Sequence, residues 1–483
     1  MITVAKHSRI GEQMRKTHLI RIVPALLLAA SVAGAQELSF DTLTDLKDVM
    51  SQAAELETPE AIAAPAAETK AVKDWTIMVF INGKNNLSSY VIQDMNEMEQ
   101  FGPAANINII TQSARMKYTP PSYPSYPGGG YYDDWSNPGP TVPHPGWPNP
   151  YWPHQMPPMM MKDAAKDAST DWSGVRRYEI VKDGDNSSIS SKIVQDMGSV
   201  DMGDWRQLAE FGKWVKQNYP AKRYMLIGWN HGSGWEMKGV EPEIMKGISY
   251  DDETGNHINT VELAQAIREM GGVDIYASDA CLMQMAEVVY ELKDTAKIIV
   301  GSEENEPGDG WGYHEFLSRV HSNQANLTPE VMAAAAVQGY KAFYSAGSKA
   351  TTQSAVRTSG IVKYRQLLDQ WVDLAMQEDK EMLKAARGAS VGFGGAGSRD
   401  LTHFMELVHE KTQNKALQDK TVAVMNQLYD RVLIDNATTG ARFEKAYGLA
   451  VYLPTWSFDS TYNQLAWANE GKWDEFMQWM TAK

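Results

Sequence analysis

The 483-residue sequence contains a single cysteine, Cys281. One cysteine excludes an internal disulfide, so the stability of the folded chain has to come from its apolar core. A lone cysteine is more often an inert buried side chain than a nucleophile. Cys281 departs from this common case because it follows an apolar run and lies two positions after Asp279. Its position therefore favours a chemical role.

Long apolar runs are also absent beyond the N-terminal region, which argues against a membrane-spanning helix in the rest of the chain. The N-terminal region has basic residues between positions 15 and 21, an apolar segment at 22–32, and then Ala33-Gly-Ala35. This pattern is typical of a secretory signal peptide at residues 1–35, and the apolar segment is too short for a membrane anchor. We expect cleavage after Ala35 and export to the periplasm or beyond the cell.

Positively charged residues are fewer than negatively charged ones: the sequence has 45 Lys and Arg residues and 60 Asp and Glu residues, and its formal net charge is −15. An acidic surface argues against nucleic acids and anionic membranes as partners. It suits basic substrates, although a general contribution to solubility would also explain it.

The sequence also lacks His and acidic residues at the spacing typical of a zinc or calcium site. His403 and His409 lie six positions apart and would point to different faces of a helix, which argues against a zinc site. The adjacent acids Asp251, Asp252 and Glu253 could bind calcium, but a run without a calcium-loop signature is more typical of solvated surface. We therefore expect no cofactor, with calcium as the alternative.

Composition and hydrophobic periodicity divide the rest of the chain into segments. Residues 36–72 are rich in Ala, Glu, Thr and Pro and are typical of a linker or propeptide. Strands and helices alternate over residues 73–318, which predicts an α/β domain with a mostly parallel sheet and helices on both faces. Within it, the Pro- and Tyr-rich residues 117–162 predict a long surface insertion. Residues 319–483 predict a helix-rich C-terminal lobe.

Two largely apolar stretches, residues 224–230 and 273–278, predict buried strands. His231 directly follows the first stretch, and Cys281 follows the second. Reactive groups collect beyond the carboxyl ends of parallel strands, and neighbouring strands lie about 4.8 Å apart. If these two strands are neighbours, the imidazole can accept the thiol proton and activate the sulfur as a nucleophile.

Three further features of these stretches fit the same chemistry. A helix predicted to begin at Cys281 would favour the thiolate through its free N–H groups. Asp279 would be the N-cap of that helix. Gly232 has no Cβ, so its backbone N–H is available to bind a developing oxyanion. Histidine, glycine and cysteine together indicate acyl transfer without a metal.

The two motifs, Leu226-Ile-Gly-Trp-Asn-His231-Gly232 and Asp279-Ala-Cys281, resemble the signatures of the clostripain family of cysteine peptidases. The resemblance extends to residues 75–87, 301–311 and 447–454, and covers residues 73–483. It implies the caspase-like fold, which this family shares with caspases, legumains, gingipains and separase.

The resemblance also implies roles for individual residues. His231 would be the base and Cys281 the nucleophile of a dyad, with Gly232 helping to bind the oxyanion. Protein or peptide substrates would be cut after Arg or Lys, because family members have acidic S1 pockets. Asp279 and Asp309 are the matching acids, and a buried carboxylate facing a guanidinium is strongly favourable.

Relatives in this family cut themselves between the histidine and the cysteine, after a basic residue. Lys238 and Lys246 are the candidates here, and Lys246 is preferred. The chain departs from the family in its first loop, where an Asp usually precedes Asn-Leu and this sequence has Lys84-Asn-Asn-Leu87.

Two functions stay open on the sequence. The first is an exported Arg- or Lys-specific cysteine endopeptidase made as a self-processing zymogen. The second is a catalytically inactive peptidase fold that acts as a binding scaffold through residues 117–162.

Overall fold

The computed structural model describes residues 71–116, 171–235, 247–394 and 397–482. Several sequence predictions fall outside these ranges, namely the signal peptide 1–35, nearly all of the 36–72 linker, the 117–162 insertion, Lys238 and Lys246.

Strands and helices alternate along the described part of the chain. Its strands are β1 (Lys73–Gly83), β2 (Ile107–Arg115), β3 (Gly174–Glu179), β4 (Lys192–Gly198), β5 (Ala221–Trp229), β6 (Ile248–Asp251), β7 (Asn256–Ile258), β8 (Val273–Asp279), β9 (Ala296–Gly301), β10 (Thr351–Arg357), β11 (Ser398–Asp400), β12 (Leu433–Thr439) and β13 (Ala450–Tyr452). Its α-helices are α1 (Tyr90–Phe101), α2 (Trp205–Asn218), α3 (Thr260–Glu269), α4 (Ala286–Glu291), α5 (Tyr313–Ser322), α6 (Pro329–Ser345), α7 (Ile361–Ala375), α8 (Lys380–Ala389), α9 (Leu401–Lys411), α10 (Lys415–Gln427), α11 (Ala466–Glu470) and α12 (Trp473–Thr481). Within these ranges, no helix combines the length and apolar content needed to cross a membrane.

Nine strands form one sheet in the spatial order β12-β10-β9-β8-β5-β1-β2-β3-β4. The five central strands, β9 to β2 in this order, pair in parallel. At the edges, β10 and β12 on one side and β3 and β4 on the other pair antiparallel. The α/β prediction is confirmed, with a sheet that is parallel at its centre and mixed as a whole.

Both faces of the sheet are covered by helices, because the central strands are apolar on both sides. Along β1, Met78 and Phe80 belong to one core, whereas Ile77 and Val79 belong to the other. Helices α1, α5 and α6 pack on the Ile77 face, and α2, α3, α4 and α7 contribute to the core on the Phe80 face.

The C-terminal region is helical, as predicted, and also supplies β10 and β12 to the main sheet. The sequence does not predict β10, because four of its buried residues are polar: Thr351, Thr352, Gln353 and Ser354. Strand prediction depends on apolar alternation, and here hydrogen bonds replace it. The hydroxyl of Thr352, for example, lies 3.0 Å from that of Ser302.

The helix predicted to begin at Cys281 is wrong, since α4 begins at Ala286. Leu282 has a φ of 64°, a left-handed conformation that excludes an α-helix at this position. Met285 forms a β-bridge with Ala450 before the helix starts. Cys281 therefore lies in a turn, its thiolate receives no support from a helix dipole, and Asp279 is not an N-cap.

Glu287 in α4 is a fully buried carboxyl group. Its Oε1 accepts hydrogen bonds from the Tyr462 hydroxyl at 2.7 Å and the Tyr452 backbone N–H at 2.9 Å. Burial raises the pKa of Glu287 from 4.5 to about 7, and the two hydrogen bonds oppose this shift. Between these two pKa values, the folded protein binds more protons than the unfolded chain, so its stability falls as the pH rises.

We expect Glu287→Gln to remove the contribution of this carboxyl group to the pH dependence of the unfolding free energy. Relative to the parent, the variant should gain on the order of 2–3 kcal/mol of unfolding free energy between pH 4.5 and pH 8. Urea unfolding followed by tryptophan fluorescence, in a Cys281→Ala background, measures the difference. Glu381→Gln, at an exposed position, is the control, and parallel pH curves for parent and Glu287→Gln would contradict the raised pKa.

Candidate active site

The ends of β5 and β8 bring the predicted residues to one edge of the sheet. The two strands pair in parallel with Trp229 opposite Asp279. The N–H of Asn230 continues this pairing by donating to the Asp279 carbonyl at 3.2 Å. Because the register is fixed to the last residue of each strand, the two segments that follow, with His231 and Cys281, leave the sheet side by side.

Gly232 makes the closest approach between these two segments. A Cβ at this position would lie 2.4 Å from the Cys281 carbonyl oxygen and 3.1 Å from its nitrogen. Such distances exclude any other residue without a backbone shift. The same close approach brings the Gly232 N–H against the Cys281 sulfur.

The Cys281 sulfur is surrounded by backbone donors. The N–H of Glu306 donates to Sγ at 3.3 Å, and the N–H groups of Gly232 and Cys281 itself also point to it. Burial nevertheless raises the pKa of the thiol to about 11, because it outweighs these hydrogen bonds. The sulfur is therefore protonated at neutral pH in the empty site and needs a base to become a nucleophile.

Asn86 is a partner of His231 that the sequence does not predict. Its Oδ1 lies 2.7 Å from Nε2 of the imidazole. An amide oxygen can only accept, so Nε2 carries the proton and Nδ1 is the basic nitrogen of the ring. Asn86 follows β1 in the Lys84-Asn-Asn-Leu87 loop, and its signals in the sequence are a polar run directly after a buried strand and the Asn-Leu pair that matches the family pattern.

Asn230 fixes the backbone that carries His231. Its amide donates to the carbonyl of Asn82 at the end of β1, and its Oδ1 accepts the N–H of Tyr250 at 2.8 Å. Asn230 is buried, so these hydrogen bonds join the ends of three segments in a low-dielectric setting. The imidazole is thereby held at the sheet edge.

The two predicted acids lie in different surroundings. Asp279 is 4% exposed, and its carboxylate accepts the Trp311 N–H at 3.2 Å and the Tyr313 hydroxyl at 2.9 Å. Burial raises the pKa of Asp279 to about 6. The side chain of Asp309 is 29% exposed and forms an ion pair with Lys349 at 2.9 Å.

Gly310 explains why the loop before α5 can cover Asp279. This glycine has a φ of +57°, and a Cβ there would lie 2.8 Å from Oδ1 of Asp279. The carboxyl group packed beside Asp279 belongs to Glu306, which the sequence did not single out.

Lys84 stands at the position where the sequence departs from the family pattern. Its side chain is 1% exposed, and Nζ lies 2.7 Å from Glu253, 3.5 Å from Asp251 and 2.6 Å from the Val200 carbonyl. Two of the three adjacent acids considered as calcium ligands, Asp251 and Glu253, thus form ion pairs with the ammonium group of Lys84. In the part of the chain that the structure describes, no group of three or more His, Cys, Asp or Glu residues is placed to hold a metal ion.

A sheet of this topology, parallel at its centre and with a cysteine and a histidine at adjacent strand ends, defines the class of proteins with a caspase-like fold. The family model described as "Clostripain family" matches residues 79–479. The chain therefore belongs to the clostripain family.

Three known proteins illustrate the similarity. Clostripain from Hathewaya histolytica is 26% identical over 280 residues, which cover 52% of this chain and 44% of clostripain. The chain thus matches less than half the length of that relative. A secreted C11 cysteine protease from Bacteroides thetaiotaomicron, solved with an irreversible peptide inhibitor, superposes with a TM-score of 0.56 at 16% identity, over 83% of this chain and 99% of the other.

An inactive zymogen C11 protease from Parabacteroides distasonis gives a TM-score of 0.55 at 16% identity, over the same shares of the two chains. At such low identities, these two superpositions show a common fold.

The raised pKa of Cys281 predicts slow alkylation of the resting thiol. With iodoacetamide, the rate should rise about tenfold per pH unit between pH 7 and pH 9, because only the thiolate reacts. Mass spectrometry follows the modification at the single cysteine, and the urea-unfolded chain provides the reference profile. A rate that does not change between pH 6 and pH 9 would indicate a preformed thiolate–imidazolium pair instead.

Proposed function

We propose that this protein is an exported endopeptidase that cuts after Arg or Lys, with Cys281 as nucleophile and His231 as base. The observation that carries this proposal is the meeting of two strand ends, where backbone N–H groups surround the sulfur next to the histidine segment. No metal is required for this chemistry.

In the proposed reaction, Nδ1 of His231 accepts the Sγ proton as the sulfur attacks the scissile carbonyl carbon. The N–H groups of Gly232 and Cys281 stabilise the oxyanion that forms. The imidazolium then gives its proton to the leaving amine, and a thioester remains. Water, deprotonated by His231, hydrolyses the thioester and restores the thiol.

Basic P1 specificity is proposed from the family resemblance and from the buried acid at the site. Asp279 lies two residues before the nucleophile and is supported by two hydrogen bonds that favour its charged form. A desolvated carboxylate binds a guanidinium or ammonium group much more strongly than a neutral side chain.

Self-processing after Lys246 or Lys238 is proposed from the family resemblance. Gly247 lies beside the histidine segment, since its carbonyl accepts the Ser233 N–H at 2.9 Å. The proposed cuts after Lys246 or Lys238 precede Gly247 in the sequence. Export is supported by the N-terminal pattern at residues 1–35.

Hydrolysis of fluorogenic peptides that end in Arg, Lys or Leu tests the reaction and the specificity. Cys281→Ala and His231→Ala should each lower kcat/KM for Arg and Lys substrates by about 10³-fold or more. Asp279→Asn should lower it by about 10–100-fold for basic P1 residues only. Asp373→Asn, in a surface ion pair with Lys472, is the control.

Equal rates for the wild type and Cys281→Ala would rule out the nucleophile. A chain that hydrolyses none of the peptides and resists an Arg chloromethyl ketone would instead favour the binding-scaffold alternative.

Asn86→Ala should lower kcat by about 10–100-fold with little change in KM, because the imidazole loses its orientation while the substrate contacts remain. Asn86→Asp keeps an acceptor for Nε2 and should recover much of the rate. Its carboxylate should also raise the pKa of His231 and move the acidic limb of the pH–rate profile upward. An Asp variant as slow as the Ala variant, with an unshifted profile, would argue against this positioning role.

A further inference from the structure

We propose that Glu306 and Asp279 form a carboxyl pair that holds one proton in the empty site and releases it when a basic P1 side chain binds. This inference rests on the proposed function and assigns the second acid of the pocket to Glu306. Substrate binding then becomes a proton-releasing step.

Glu306 is placed for this role by its backbone. Its N–H donates to the Cys281 sulfur at 3.3 Å, and its carbonyl oxygen lies 3.9 Å from the same atom. The side chain therefore starts from a residue that touches the reacting sulfur. Asp279, two residues before Cys281, reaches the same region from β8.

The Glu306 carboxyl group has no adequate partner in the described structure. The residue is 7% exposed, and among the described residues no hydrogen bond of good geometry reaches either carboxyl oxygen. The neighbours that interact with the group are the carboxyl group of Asp279 and the indole N–H of Trp311. The indole N–H of Trp311 also has no hydrogen bond of good geometry among the described residues. Buried polar groups are almost always satisfied in native proteins, so this carboxyl group points to a ligand that supplies positive charge.

The surroundings of the pair are acidic. Asp94 and Glu97 of α1 are buried and act electrostatically on Asp279. Among the described residues, the basic side chain within 4.0 Å of any of these four carboxyl groups is His314, at 3.3 Å from Glu97. The other titratable groups that face Glu306 are the Cys281 thiol and three phenols, those of Tyr313, Tyr340 and Tyr344.

These groups cannot all be ionised in a buried site. Two neighbouring carboxylates repel each other, so one of them keeps its proton. Asp279 is the better anion because the Trp311 N–H and the Tyr313 hydroxyl donate to it. Burial and the charge of Asp279 raise the pKa of Glu306 well above its usual value, which leaves the shared proton on Glu306 at neutral pH.

A bound guanidinium or ammonium group would reverse this balance. Its positive charge stabilises both carboxylates, so the Glu306 proton passes to solvent and the pair binds the cation with two negative charges. Because binding releases a proton, the affinity for a basic P1 residue should rise with pH until Glu306 is ionised in the free protein. A neutral P1 residue should show no such dependence.

Calorimetry on the full-length Cys281→Ala protein tests the proton release. A peptide with Arg at P1 is titrated at one pH in phosphate and in Tris, whose protonation enthalpies differ. We expect about one proton released per peptide. Adding Glu306→Gln should reduce the release to near zero and weaken binding at pH 7.5 by about tenfold. Adding Glu306→Asp, which keeps an acid, should retain release.

Two further variants make the outcome decisive. Glu315→Gln, in a surface pair with Arg319 on α5, should leave proton release and affinity unchanged. If Asp309→Asn abolishes release while Glu306→Gln does not, Asp309 is the second acid and the inference is overturned. Thermal unfolding of each variant confirms that it is folded.

Hydrolysis separates this inference from the proposed function. An active wild type whose basic P1 preference and proton release survive in Glu306→Gln would overturn only the role of Glu306. A wild type that cuts no Arg or Lys peptide would overturn both.

Discussion

The parallel pairing of β5 with β8 is the constraint on which the candidate site depends. It places Trp229 opposite Asp279 and continues as a hydrogen bond from Asn230. A slip of one residue would turn every side chain of one strand to the opposite face of the sheet. The close approach of Gly232 to Cys281, at distances where a Cβ does not fit, would then be lost. The geometry of the candidate site is thus a consequence of strand register.

Strand β10, in the C-terminal region, supports the same edge of the sheet through the loop that carries Glu306. The N–H groups of Leu282 and Gln284 donate to the carbonyls of Glu304 and Ser302, which fixes the turn after Cys281 against the loop that carries Glu306. That loop is itself held by Thr352 of β10, whose hydroxyl oxygen accepts the N–H groups of Glu303 and Glu304. The polar side chains of β10, which prevent its prediction as a strand from the sequence, therefore also position the loop that carries Glu306.

The α/β fold and the strand ends that carry His231 and Cys281 could be predicted, because apolar runs before a reactive residue are a local signal. The turn at Cys281 could not be predicted, since the left-handed backbone of Leu282 has no signature in its side chain. Asn86 and Glu306 were missed for a related reason. The role of Asn86 becomes apparent only when His231 lies beside it, and the role of Glu306 only when Asp279 lies beside it.

Burial has two linked effects at this site. It raises the pKa of the Cys281 thiol and of the neighbouring carboxyl groups, so the thiol and one carboxyl group of the proposed pair keep their protons at neutral pH. Oxidation of cysteine follows thiolate character and exposure, and a protonated sulfur is the less reactive form. In the oxidising space proposed for this protein, such a thiol is protected until a substrate engages the base. A cation that enters the same pocket would remove the electrostatic penalty on the carboxylates, which couples recognition of the side chain to the state of the site.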